Sequence, residues 1–218
     1  MAKKKYYAIL ETVATNKDMV ADIAIIICDR QGAIFNQVAV VVKECYGDFL
    51  SQNDLAYADS YDYAGKLNSG RRMLASVVAV NHWIGQAFAK YNPELISWDL
   101  ALHLDRCEKT GIGLGVFGAR ICLRKVAQNI LFNSKKFLKF SGLDVNSHDS
   151  MISDDCLLPD LKKALEFVSV ESKVEFTALE KARDAVMPVL SSLVNNKSWR
   201  KVVSQYDGRS TNDVGCVT

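Results

Sequence analysis

Three runs of strand-forming residues follow one another at the start of this chain with little between them, and that limits the fold more than any other feature. Tyr6 to Thr12 is a short strand candidate. Met19 to Asp29 (MVADIAIIICD) is rich in β-branched residues and stops at Arg30-Gln31-Gly32, a turn signal. Ala33 to Glu44 then alternates, with Val38, Val40 and Val42 on one face. Connections this short join antiparallel strands, because a parallel crossover needs a dozen or more residues. The spacing predicts a three-stranded antiparallel meander.

Residues 46–70 are polar and aromatic and are expected to form a loop or an irregular excursion. Arg71 to Tyr91 carries apolar residues at helical spacing (Met73, Val77, Val80, Ile84, Phe88), and Pro93 closes it. Glu94 to Leu100 is a buried strand candidate leading into a helix from about Ala101 to Lys109. Gly111 to Gly118 is expected to be a flexible loop. Ala119 to Phe132 and Lys135 to Phe140 are expected to be helical, and residues 142–158 a polar loop. Leu161 to Val168 is predicted as a helix, Ala178 to Asn195 as a long amphipathic one. There is no internal repeat and no linker. We therefore expect one domain over residues 1–206 and a polar tail over 207–218. A meander followed by a helix, a strand and further helices is the element order of the ribonuclease H-like fold, an α/β fold with a mixed sheet and helices on both faces.

Composition excludes several classes. The 218 residues suffice for one α/β domain with a substantial core. A net charge of +2 is too small to imply a polyanionic partner unless the charge is local. Six cysteines without a Cys-x-x-Cys pair give neither a zinc signature nor a disulfide framework. The longest aliphatic run, Ile23 to Cys28, is far too short to span a bilayer. The start shows no targeting segment, so we expect a cytoplasmic protein with free thiols and no membrane partner. Gly113 to Gly118 spells Gly-x-Gly-x-x-Gly, but a dinucleotide fingerprint must leave the first strand of a βαβ unit, and here a helix precedes it.

The segment that bears most on function is Glu175-Phe176-Thr177-Ala178-Leu179-Glu180-Lys181-Ala182. It resembles the last motif of the DEDD superfamily of metal-dependent 3′–5′ exonucleases, in the DEDDh form that carries a His general base. That motif usually runs Glu-His-Thr-Ala-Leu-Glu-Asp-Ala, with the Asp a metal ligand. Phe176 stands at the His position and Lys181 at the Asp position. The resemblance extends over roughly residues 6–192 and is nearest to versions in phages and plasmids. Tyr6-Tyr7-Ala8-Ile9-Leu10-Glu11-Thr12 is similar to the first strand, which ends Asp-x-Glu-Thr in relatives, with Ile9 at the first metal-binding Asp. Trp98-Asp99-Leu100-Ala101-Leu102-His103 is similar to the second motif, with His103 at its ligand Asp.

Of the five residues that the resemblance assigns to catalysis, Glu11 alone is kept, and Ile9, His103, Phe176 and Lys181 are replacements. A working site holds two divalent ions about 4 Å apart on four carboxylates. An aromatic ring cannot take a proton from water, and an ammonium cannot ligate a cation. The resemblance therefore implies a degenerate nuclease with no metal cofactor, in which Glu11 pairs with Lys181. An alternative keeps a Mg²⁺- or Mn²⁺-dependent exonuclease with an altered site built from Glu11, Asp99, Asp105 and Glu180 or Asp184. His103 is a further candidate ligand for Zn²⁺ or Mn²⁺, although a lone His is more often a hydrogen-bonded helix residue.

Residues 120–140 hold Arg120, Arg124, Lys125, Lys135, Lys136 and Lys139 and no acid, with Phe132, Phe137 and Phe140 between them. Basic and aromatic side chains together suit single-stranded nucleic acid. The plainer expectation is phenylalanines in the core and cations in solvent. A protein partner or a homodimer is the third expectation, since relatives often dimerise.

Overall fold

The computed structural model describes residues 4–51, 63–141, 161–168 and 177–206. The expected polar loop at 142–158, Phe176 and the tail at 207–218 lie outside them. The meander is β1 (Tyr7–Ala14), β2 (Val20–Cys28) and β3 (Ile34–Val42), paired antiparallel. The β2–β3 turn closes because the Asp29 carboxylate accepts the Gln31 and Ala33 N–H groups, and Gly32 supplies a φ of +82°.

The six-stranded sheet has the order β4-β3-β2-β1-β5-β6. β5 (Glu94–Ser97) runs parallel to β1, and β6 (Arg120–Cys122) parallel to β5. β4 (Leu74–Ala75) adds a short parallel pairing to β3. β2 is buried along its whole length, and its alternation splits the core. Ile23, Ile25 and Ile27 join Leu10, Val38, Val40 and Val42 on one face. Ala24, Ile26 and Cys28 join Ile9, Ile96 and Ile121 on the other.

The helices cover both faces. α1 (Lys43–Ser51) and α2 (Tyr63–Asn68) follow the meander. α3 (Val77–Tyr91) and α4 (Leu100–Thr110) pack with the first core half. The second half receives α5 (Leu123–Ala127) with the π-helical turn Gln128–Phe132, α6 (Lys135–Phe140) and α7 (Leu161–Val168). It also receives α8 (Ala178–Glu180) with the π-helical stretch Lys181–Val186, α9 (Met187–Val194) and α10 (Trp199–Tyr206). This is the mixed α/β sheet, three antiparallel strands first, that the element order predicts.

Four expectations need correction. The stretch 46–70 is not simply a loop: α1 runs to Ser51 and α2 begins at Tyr63, because Cys45 and Tyr63 are apolar anchors that reach the core. The helix expected from Arg71 starts at Val77, where Ser76 accepts the Ala79 N–H and Glu44 accepts the Val77 N–H. Residues 120–122 are an edge strand, so a helix beginning at Ala119 is wrong by one element. The Gly111–Gly118 loop is also packed rather than loose. Ile112, Leu114 and Phe117 are buried, and Asn81 holds Gly111 O and Gly113 N–H.

Arg72, which the sequence reading left without a role, is buried against the equally buried Asp22 of β2. The Asp22 carboxylate also accepts the Tyr63 hydroxyl at 2.8 Å and the Ala178 N–H at 3.0 Å. Burial pulls the Arg72 guanidinium down to about 10, against the upward pull of Glu180. The Arg72→Met variant leaves a buried carboxylate without its counter-charge. We expect it to lose about 3–5 kcal/mol, read from urea denaturation. A loss below about 1 kcal/mol would show that the ion pair does not hold α2 and α8 on the sheet.

Candidate functional site

The site lies where β1, the end of β5, α4 and the start of α8 meet. β1 places Ile9 and Glu11 on the same face by its two-residue period. Ile9 is fully buried, registered between Ile26 of β2 and Ile96 of β5. It presents only methyl and methylene groups where the resemblance puts a carboxylate.

Glu11 is fully buried and held on both oxygens. Oε1 accepts the Ser97 hydroxyl at 3.3 Å and the Trp98 N–H at 3.5 Å. Oε2 lies 2.7 Å from Lys181 Nζ and 3.2 Å from His103 Nε2. These two approaches are off good hydrogen-bond lines, so the attraction there is chiefly coulombic. Burial pushes the Glu11 carboxyl up, but the charges of His103 and Lys181 outweigh it and hold it at about 2, below its ordinary 4.5. The pairing of Glu11 with Lys181 expected from sequence is made.

His103 sits one turn into α4 and is buried. Its Nδ1 lies 2.7 Å from Thr12 Oγ1 and its Nε2 faces Glu11. Both ring nitrogens face protein groups, and the carboxylate before Nε2 already carries the Lys181 ammonium. α4 itself is pinned to β2, since the Thr110 hydroxyl accepts the Val20 N–H at 2.7 Å.

Lys181 is aimed by a tightly bound helix start. Thr177 and Glu180 form a reciprocal capping box, Asp22 accepts the Ala178 N–H, and the Lys181 N–H bonds Thr177 O. Lys66 lies 3.6 Å from Glu180, and the Glu180 carboxyl, raised by burial, is brought down by the Thr177 N–H and Lys66. Beyond Lys181 the helix widens into its π stretch. Pro188 has no N–H to offer the Asp184 carbonyl four residues back, which removes one α-helical bond there. The capping box was readable as Thr-x-x-Glu at 177–180, and the sequence reading missed it. Asp22 gave no such signal, because its partners Tyr63, Arg72 and Ala178 are distant in the chain.

The remaining acids do not join Glu11. Asp99 faces Arg124 at 3.6 Å, Asp105 pairs with Lys109 at 2.7 Å, Glu180 caps its own helix, and Asp184 pairs with Arg183 at 2.7 Å. Among the described residues no group of three or more His, Cys, Asp or Glu is placed to hold a metal ion. Mg²⁺ needs near-octahedral oxygen ligation at about 2.1 Å. A buried isoleucine, an engaged imidazole and an ammonium beside the one carboxylate do not fit the divalent ions that the resemblance implies.

The basic stretch divides along its length. Arg120 donates to Leu114 O, Arg124 faces Asp99 beside the site, and Lys125 lies 6.0 Å from the Tyr206 ring. Lys135, Lys136 and Lys139 are exposed on α6. Phe132 and Phe137 are buried, with centroids 4.4 Å apart, and Phe137 meets Phe167 at 5.2 Å. They serve the core and are closed to base stacking. Phe140 is 51 % exposed, with one side on Phe137 and Phe167.

The ionised Glu11 is favoured by folding, because its folded value lies below its ordinary one. Its contribution is complete above about pH 4.5 and is lost as pH falls from there toward 2. We expect wild type to lose about 3 kcal/mol more than Glu11→Gln over that window, measured by urea denaturation at stepped pH. Parallel profiles for the two proteins would show that Glu11 is not held by these cations.

No known family profile matches the sequence, and no curated protein matches it either. The fold is similar to a solved structure, the nuclease domain of 3′hExo, a DEDDh family member, bound to rAMP. The TM-score is 0.57 at 11 % identity, covering 91 % of this chain and 96 % of that one. The chain therefore has an exonuclease-like, ribonuclease H-like fold, and among the described residues no helix is long and apolar enough to cross a membrane.

Proposed function

We propose that this protein is a catalytically degenerate 3′–5′ exonuclease-like protein that binds nucleic acid without cutting it and without a divalent metal. The observation that carries this is the Lys181 ammonium 2.7 Å from the single surviving motif carboxylate, with His103 on the same oxygen. A site of four carboxylates repels a phosphate backbone unless divalent ions neutralise it. Here Glu11, Asp99, Glu180 and Asp22 each have a cationic neighbour in the protein. The need for metal in binding is thereby removed along with the means of catalysis.

The ligand favoured is a single strand. It is held by Arg124 beside the site, by Arg120 and Lys125 on the same segment and by Lys135, Lys136 and Lys139 on α6, through the backbone more than through stacked bases, since Phe132 and Phe137 are closed off. A protein partner or a second copy in place of nucleic acid is the competing outcome. A cytoplasmic setting, and an origin of the phage or plasmid kind that the resemblance implies, are part of this reading, and the former suits the buried thiols Cys28, Cys45, Cys107 and Cys122.

The test is a pair of measurements on one end-labelled single strand. We expect no shortening in Mg²⁺ or Mn²⁺, and the same affinity in EDTA as in Mg²⁺ at matched ionic strength. Trimming that Glu11→Ala abolishes would show a live enzyme. The absence of binding at any salt, with a stable dimer by sedimentation, would favour the assembly role.

A further inference from the structure

The 120–140 stretch is not the only acid-free cationic segment. Residues 195–206 contain Lys197, Arg200 and Lys201 and no Asp or Glu. The two segments together hold nine of the 27 basic residues and none of the 25 acidic ones, so the rest of the chain carries 18 basic against 25 acidic. A net charge of +2 conceals this asymmetry.

The fold brings the two segments together. α10 packs on α5 and its π turn: Asn129 Nδ2 donates to the Tyr206 hydroxyl at 2.8 Å, and Lys125 Nζ lies 6.0 Å from the Tyr206 ring. Trp199 anchors the start of α10, edge-on to Tyr7 of β1 at 6.3 Å. With Trp199 and Val202 buried, Arg200 and Lys201 stand exposed on the outer side of the helix, and Lys197 is exposed before it. Among the described residues no carboxylate lies within ion-pair distance of Lys135, Lys136, Lys139, Lys197, Arg200 or Lys201. The same end of the sheet adds Arg30, which reaches Asn195 at 2.8 Å.

A charged helix is ordinarily a solvated face, with both signs interspersed. Two adjacent packed helices of one sign, in a chain whose remainder is acidic, form instead an electrostatic track. We infer that α10 is a second contact for the phosphodiester backbone of a nucleic acid, continuous with α5. This rests on the nucleic-acid reading above and extends it to residues that no motif marks. The contact is independent of sequence, because lysine and arginine on an outer helix face meet phosphates, not base edges.

The test is a salt titration of binding by fluorescence anisotropy, using the full chain in EDTA and a labelled oligothymidylate of about 20 nucleotides. Each phosphate contact on a single strand contributes about 0.7 to the slope of log affinity against log salt. We expect Arg200→Ala/Lys201→Ala to reduce that slope by about 1.4 and to weaken binding about tenfold near physiological salt. Its melting temperature should be unchanged, and Lys43→Ala on the exposed start of α1 should leave the slope as in wild type. An unchanged slope in the α10 variant, with wild-type binding intact and Lys135→Ala/Lys136→Ala reducing it, overturns the α10 contact and leaves the proposed function standing. Absence of binding by wild type overturns both. Equal loss in Lys43→Ala shows bulk charge rather than a track, and also overturns the α10 contact.

Discussion

A carboxylate at full burial on a central strand has to be compensated in place, and Glu11 is such a carboxylate. Its compensation comes from three directions. β5 supplies Ser97 and the Trp98 N–H, α4 supplies His103, and the start of the α8 segment supplies Lys181. Each donor is itself held. Thr12 holds His103, and the Thr177–Glu180 capping box with Asp22 holds the turn that presents Lys181. Removing the charge on any one member exposes the others to an unpaired burial. The site is therefore a structural joint between the sheet and two helices, whatever else it does.

The same arithmetic shows what the residues at these positions do together. The resemblance implies four carboxylates and two divalent ions, a charge balance that fails if the ions leave. One carboxylate kept at Glu11 needs about one positive charge nearby, and Lys181 brings it. Ile9 brings apolar volume where the resemblance puts a charge, and joins Ile26 and Ile96 in the core. His103, where the resemblance puts another, bridges Thr12 and Glu11. As a set they are packed, and the one buried carboxylate has a counter-charge on it.

Much of the frame was legible in the sequence, for physical reasons. β2 shows itself because a strand buried on both faces reads as a continuous β-branched run. β3 shows itself by alternation, Val38, Val40 and Val42 facing one core half. β4 and β6 were missed because two or three residues cannot display a period, and both owe their pairing to neighbours already in place. The Glu11–Lys181 pair was reachable only through the resemblance, since the two residues are 170 apart in the chain and neither position is unusual locally. Arg72 was illegible for a related reason. Its partner Asp22 lies in a strand whose other residues all read as core, and an arginine before a helix carries no sign that it will be buried.

Charge placement was harder still to read, because the net value averages it away. The acid-free segments at 120–140 and 195–206 are separated by more than fifty residues, and only the packing of Tyr206 on Lys125 and Asn129 makes them one surface. Two of the three aromatic residues that made 120–140 look like a stacking platform turn inward, since Phe132 and Phe137 complete the core with Phe167 beneath α6. The cations were left outside by the same packing, because a helix that buries its phenylalanines must present its lysines to solvent. The exposed cations of α6 and α10 therefore owe their place to the same apolar packing that closes the rings away.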